Sequence, residues 1–184
     1  MFPSSPTAAW SSCWTSARPS TEEVDLAVIT RDVVEHFREE SARSCSPLLI
    51  HTEPLVIGRW DRIRLEQVIT NLLANALKFG SRKPVEISVT SEHGTALLSV
   101  KDHGIGIAPD KLPHIFERFE RAVSAREYGG LGLGLYIAHE IVSALGGTVH
   151  VQSTPGVGTC FTVRLPCSRP PDSGVSAQHA AGHA

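Results

Sequence analysis

Apolar residues recur along this chain with two different periods, and the switches between them divide it into elements. Val24 and Leu26 alternate with acidic neighbours, which predicts a short edge strand once order begins at Thr21. From Ala27 to about Arg43 the apolar positions Val28, Ile29, Val33, Val34 and Phe37 return at helical spacing, with Arg31, Glu35, Arg38 and Glu39 outward. Ser46-Pro47 ends that helix. Leu48–His51 and Leu55–Ile57 then read as a pair of strands joined through Glu53-Pro54.

The helix predicted from Asp61 to Phe79 is the most informative element. At about 100° per residue, Leu65, Ile69, Leu72, Leu73, Ala76 and Leu77 share one broad face and belong in a core. Arg64, Gln67, Asn71, Asn75 and Lys78 form a single stripe opposite. Asp61 is placed to cap its start, and Gly80 to end it in a left-handed conformation. Two period-two runs follow, Val85-Ile87-Val89 and Ala96-Leu98-Val100, with His93-Gly94 as the hairpin turn between them. The second run delivers Asp102 to its C-terminal end. Residues 103–130 read as a loop with a short helical piece near Lys111–Phe119. A helix from about Leu131 to Leu145 stops at Gly146-Gly147, and Thr148–Gln152 and Thr159–Leu165 close a final hairpin around Pro155-Gly156-Val157-Gly158. Mixed strands and helices, with neighbouring strands joined by short turns, favour a two-layer α/β sandwich over a doubly wound parallel sheet.

Composition adds boundaries. Residues 1–20, rich in Ser, Thr, Ala and Pro, show neither period and read as a disordered or aberrant leader, in which Trp10 and Trp14 have no explanation. The stretch 168–184 reads as a disordered tail after a domain spanning 21–167. A net charge of −2, from 17 basic and 19 acidic residues, argues against nucleic-acid or membrane-surface binding. No apolar run approaches the roughly 18 residues of a membrane span, and no positively charged start precedes an apolar signal core. Cys13, Cys45, Cys160 and Cys167 lack CxxC spacing and read as reduced thiols of a cytoplasmic protein.

Candidate chemistry gathers between Asp102 and Ala138, where two glycine clusters bracket a charged insert. Gly104, Gly106, Gly130, Gly132 and Gly134 allow close backbone approach to a ligand, and a helix starting near Gly132 directs N–H groups at a phosphate. Asp102, at the end of a buried strand, can accept the exocyclic amine of adenine. Asn75 offers a neutral oxygen to Mg²⁺, which takes oxygen ligands and keeps waters beside phosphates. Lys78, one turn on, can reach a phosphate oxygen.

The blocks NLLANALKF (71–79), DHGIGI (102–107), FERF (116–119) and GLGLGL (130–135) resemble the N, G1, F and G2 boxes of sensor histidine kinases. GVGTCF (156–161) resembles the last glycine box, and the likeness covers residues 21–166 in the order and spacing of that family. The resemblance implies an ATP-binding fold of the type shared with DNA gyrase and mismatch-repair ATPases: a mixed, mainly antiparallel sheet of about five strands backed by three helices, with a mobile lid from Ile107 to Gly130. It implies Asn75 as magnesium ligand, Lys78 and Arg121 as phosphate contacts, Phe79 beside the adenine and Asp102 reading it. Ile107, Gly130, Leu131, Gly132, Leu133 and Gly134 complete the nucleotide contacts. Phe116 and Phe119 would anchor the lid. Leu131 departs from the Thr or Ser of many relatives, which removes one side-chain contact to phosphate.

Asn71 stands where relatives that hydrolyse ATP carry a Glu, and an amide cannot take a proton. The site should therefore hold ATP and Mg²⁺ without rapid hydrolysis and offer the γ-phosphoryl group to another nucleophile. A phosphoacceptor motif like H-E-x-x-T-P is absent from the sequence. His36 and His139 read as helix residues, and His103 as a solvent-facing loop residue. The expectation is the catalytic end of a larger kinase, shortened by truncation, a mis-called start or an upstream frameshift. Its partners would be a phosphoacceptor domain and, indirectly, a response regulator. The alternative is an ATP-holding regulatory module with no transfer of its own. A serine kinase of the anti-sigma type, usually with a base in the N box, fits Asn71 poorly.

Overall fold

A computed structural model of the protein describes residues 21–118 and 133–167, and within them two sheets rather than one organise the chain. Strands β1 (Glu22–Asp25) and β3 (Ile57–Trp60) pair antiparallel as a small ribbon, with Glu22 opposite Trp60. The larger sheet has five strands in the order β2-β4-β5-β7-β6, where β2 is Leu48–Thr52, β4 Val85–Glu92, β5 Thr95–Asp102, β6 Thr148–Thr154 and β7 Gly158–Pro166. Strand β2 runs parallel to β4, and the remaining pairs are antiparallel. Helices α1 (Leu26–His36), α2 (Arg38–Ser44), α3 (Arg62–Phe79) and α4 (Gly134–Ala144) complete the fold.

Alternation along the strands sorts the sheet into two faces. Val85, Ile87, Val89, Ala96, Leu98, Val100, Phe161, Val163 and Leu165 are buried on one side. Helix α3 lays Leu65, Val68, Ile69, Leu72, Leu73, Ala76 and Leu77 against them, as its pattern requires. Its start is fixed by Asp61, whose Oδ1 accepts the Arg64 amide at 3.2 Å. Helix α1 begins at Asp25, whose carboxylate accepts from Ala27 N at 2.9 Å and from Val56 N at 3.1 Å.

The sequence reading needs five corrections. The single helix expected over 27–43 breaks at Phe37, giving four α-helices among the described residues instead of the expected three. The apolar stripe stops there, and α2 buries none of its residues. Leu48–His51 and Leu55–Ile57 do not pair with each other. After Thr52 the chain leaves the large sheet for the α1 cap, where Leu26 N donates to Val56 O at 2.9 Å, and β3 joins β1. Gly80 is right-handed, with φ −72°, and Ser81 and Arg82 take the positive φ. Glycine is still required at 80, because a Cβ would lie 2.4 Å from the Ala76 carbonyl oxygen. The fourth helix begins at Gly134, not Leu131, and the helical piece near 111–119 is a single 3₁₀ turn, Leu112–His114.

Both hairpin turns and the α4 stop match expectation. His93 and Gly94 have φ 49° and 76°, the left-handed pair of a two-residue hairpin, and Gly146 has φ 78°. The ribbon is tied to the large sheet through Arg59 N to Cys167 O at 3.1 Å and the buried Trp60 indole N–H to Pro166 O at 2.9 Å. The disorder expected for 1–20 and 168–184 concerns residues outside those described.

Candidate nucleotide site

Strand β5 ends at Asp102, which is 5% exposed. Burial pushes its carboxyl pKa up, against the lowering effect of backbone hydrogen bonds from Gly104 and Thr159 and of nearby His103. The Gly104 amide donates to Asp102 Oδ1 at 2.9 Å. Thr159, opposite Asp102 in the β5–β7 register and equally buried, approaches Ser153 Oγ at 2.8 Å. Ser153 in turn accepts from Ile107 N at 2.8 Å and donates to the Gly158 carbonyl at 3.0 Å. Sequence reasoning missed Ser153 and Thr159. The signal for Thr159 was present, since 159, 161, 163 and 165 alternate onto the face that carries Asp102.

The glycines around Asp102 have a reason that does not involve a ligand. Three backbone segments converge there, and a Cβ on Gly104 would lie 1.7 Å from the Phe79 carbonyl oxygen. Gly106, with φ 67°, leaves a Cβ 2.2 Å from Thr154 O, while Ile105 N donates to Phe79 O at 3.2 Å. The DHGIGI loop is thus fastened between the end of α3 and the β6–β7 turn. His103 is not a free loop residue: its Nε2 lies 2.6 Å from Glu86 Oε1, and that contact is the main cause of a lowered Glu86 pKa.

The polar stripe of α3 reaches the other end of this region. Asn75 is partly buried and Lys78 is exposed, its ammonium 4.9 Å from the centroid of the Phe79 ring. Asn71 lies against the first residue of α4: a Cβ on Gly134 would sit 3.7 Å from Asn71 Oδ1. The Asn71 Nδ2 is buried and has no acceptor among the described residues. Leu133, at the helix cap, offers no side-chain hydrogen bond to the first turn of α4. Arg121, Gly130, Leu131 and Gly132 lie outside the described residues, as does Phe119, and most of the expected lid with them.

Phe116 is anchored as expected, with its ring centroid 6.5 Å from that of Phe161 and 5.1 Å from that of His139. Neighbouring Ile115 is buried. His36 is exposed on α1 and His139 partly buried on α4. Among the described residues no group of three or more His, Cys, Asp or Glu could hold a metal. A cation here would depend on amide, water and phosphate oxygens, a donor set that suits Mg²⁺.

Residues 60–169 match the histidine kinase-, DNA gyrase B-, and HSP90-like ATPases. The chain belongs to this ATPase family. The sensor histidine kinase YkoH of Bacillus subtilis is 41% identical over 145 residues, which cover 77% of this chain and 31% of that protein. The sensor histidine kinase MtrB of Mycolicibacterium paratuberculosis is 35% identical over 83% of this chain and 28% of its own length. The chain therefore spans about a third of these kinases. Full-length ShkA in complex with AMPPNP superposes with TM-score 0.73 at 30% identity, covering 82% of this chain and 32% of that one. The mycobacterial sensor histidine kinase MprB gives 0.70 at 28%, over 79% of this chain and 97% of that one. The catalytic domain of ThkA shares the fold, with TM-score 0.72 at 24% identity, over 80% and 96%. This is the Bergerat architecture of histidine kinase catalytic domains, a two-layer α/β sandwich. No helix among the described residues of this ATPase domain is long and apolar enough to cross a membrane.

Proposed function

We propose that the domain binds ATP with Mg²⁺ and transfers the γ-phosphoryl group to a histidine on a phosphoacceptor helical domain of a two-component kinase. Asp102 carries this reading. A carboxylate held in a buried strand end, with backbone N–H groups as its described partners, is costly unless an outside donor completes it. The exocyclic amine of adenine is such a donor. Gly104, Gly106 and Ile107 flank the base, and Phe79 stands beside it.

At the far end the start of α4, with Leu133 and Gly134, faces the phosphates, and the buried Asn71 amide lies beneath it. Asn75 supplies an oxygen to Mg²⁺ and Lys78 its charge to a phosphate. Arg121, Gly130, Leu131 and Gly132 add phosphate contacts on this reading. Asn71 lacks the basicity to activate water, so ATP persists until an imidazole nitrogen attacks the γ-phosphorus and ADP departs with the bridging oxygen.

Calorimetry with ATP and Mg²⁺ tests the binding step. Heat is expected from the wild-type chain and none from Asp102→Ala, while Asn75→Ala should lose the magnesium-dependent part. Equal heat from wild type and Asp102→Ala removes the assignment. Incubation with γ-labelled ATP and a phosphoacceptor hairpin from a related kinase tests transfer: acid-labile label on the hairpin is expected, with negligible self-labelling and slow hydrolysis. Binding without any label on the hairpin would favour the regulatory module instead.

A further inference from the structure

Arg118 is the last described residue before the insert, and its side chain is clasped by the helix that follows the insert. The guanidinium Nη2 donates to Tyr136 Oη at 2.7 Å, and its carbon stands 4.8 Å above the Tyr136 ring centroid. One aromatic residue thus supplies both a charge-assisted hydrogen bond and a cation–π face.

The arm that ends in Arg118 begins at the opposite end of the site. Ile107 N is fixed on Ser153, beside the Asp102 loop. From there the chain winds through three successive turn bonds, Lys111 N to Ala108 O, His114 N to Lys111 O and Glu117 N to His114 O. Ile115 and Phe116 plug its middle into the core, with Phe116 against His139, three residues beyond Tyr136 on α4. The arm therefore lies along one face of α4, while Asn71 of α3 touches that helix at Gly134. Chain leaving at 118 and returning at 133 is gathered at the first turns of one helix.

We infer that Tyr136 is a positioning residue for the nucleotide site, acting through Arg118 to fix the Ile107–Arg118 arm on α4 and so set how long the nucleotide stays. The inference rests on the proposal that the base sits by Asp102 and the phosphates at the start of α4. In that arrangement the arm bridges the two ends of the ligand, and the clasp determines their separation. Tyrosine suits the position because phenylalanine keeps the ring but offers no acceptor, and leucine offers neither.

The test uses the full chain and two readouts. Hydrogen exchange without nucleotide should show the His114 and Glu117 amides exchanging faster in Tyr136→Leu and Arg118→Ala, with the Leu98 and Val163 amides of the sheet unchanged. Stopped-flow displacement of a fluorescent ATP analogue should show dissociation about tenfold faster in both variants, the scale of one charge-assisted hydrogen bond, and an intermediate rate in Tyr136→Phe. The Arg118→Ala/Tyr136→Leu double variant should match either single one, because both break the same contact. Additive rates, or unchanged rates with unchanged exchange, overturn the inference. Faster exchange in a chain whose wild type binds no nucleotide would leave the clasp standing as architecture but remove its role together with the nucleotide reading.

Discussion

Asn71 turns its Cγ and Oδ1 toward Gly134 at the start of α4, while its buried amide nitrogen has no acceptor among the described residues, so the α3–α4 contact holds a polar group that the described fold leaves unpaired. A buried donor in that state costs about 1–3 kcal/mol, and a domain keeps it only where something else needs it. Asn71→Leu should therefore raise the apo unfolding midpoint, by about 1 kcal/mol in denaturant titration, while weakening ATP binding. A variant that is both less stable and unimpaired in binding would show that the amide serves packing.

Gly104 and Gly94 separate two reasons for glycine. A Cβ at 104 meets the Phe79 carbonyl at 1.7 Å, backbone against backbone, whereas at Gly94 nothing lies within 4 Å and only φ 76° is unfavourable. Gly104→Ala should cost about 3 kcal/mol or more and distort the Asp102 loop. Gly94→Ala should cost about 1–2 kcal/mol and leave nucleotide binding intact. Urea unfolding of the two variants side by side checks the difference.

Trp60 ties the small ribbon to the large sheet through its indole N–H on Pro166 O, and a Cβ on Gly58 would lie 2.3 Å from its ring. Trp60→Phe should lose about 1 kcal/mol, the hydrogen bond with most of the packing kept, and Trp60→Ala about 3–5 kcal/mol. Neither residue touches the nucleotide site, so affinity measured on the folded fraction should not change.

What the sequence made legible follows from how local each signal was. Helix α3, its Asp61 cap, the His93-Gly94 turn and Asp102 at a strand end each depend on residues within a few positions of one another, and all were found. The pairing of β2 with β4 and of β3 with β1 depends on contacts across tens of residues, which period-two alternation cannot specify, and the adjacent runs were wrongly joined. The glycines of the DHGIGI loop were read for a ligand, yet their tightest contacts are with Phe79 and Thr154 of the same chain. Ser153 and the Arg118–Tyr136 clasp were invisible because each joins segments whose proximity only the sheet and α4 create.

Asp102 couples stability to pH in a direction that can be fixed from its environment. Burial raises its folded pKa above the unfolded value, so the folded chain binds the proton more tightly than the unfolded chain does. The stability this contributes is full below the ordinary carboxylate pKa and is lost as pH rises through the higher folded value. At neutral pH the ionised group therefore weighs against the apo fold. Asp102→Asn keeps the oxygen that accepts from Gly104 and removes the charge. It should be more stable than wild type at pH 7, with the gap narrowing as both are titrated toward acid, and it should lose ATP because the amide nitrogen opposes the adenine amine. Thermal unfolding of the two proteins across that pH range decides the point: a gap that widens toward acid would mean that the Gly104 and Thr159 hydrogen bonds outweigh burial.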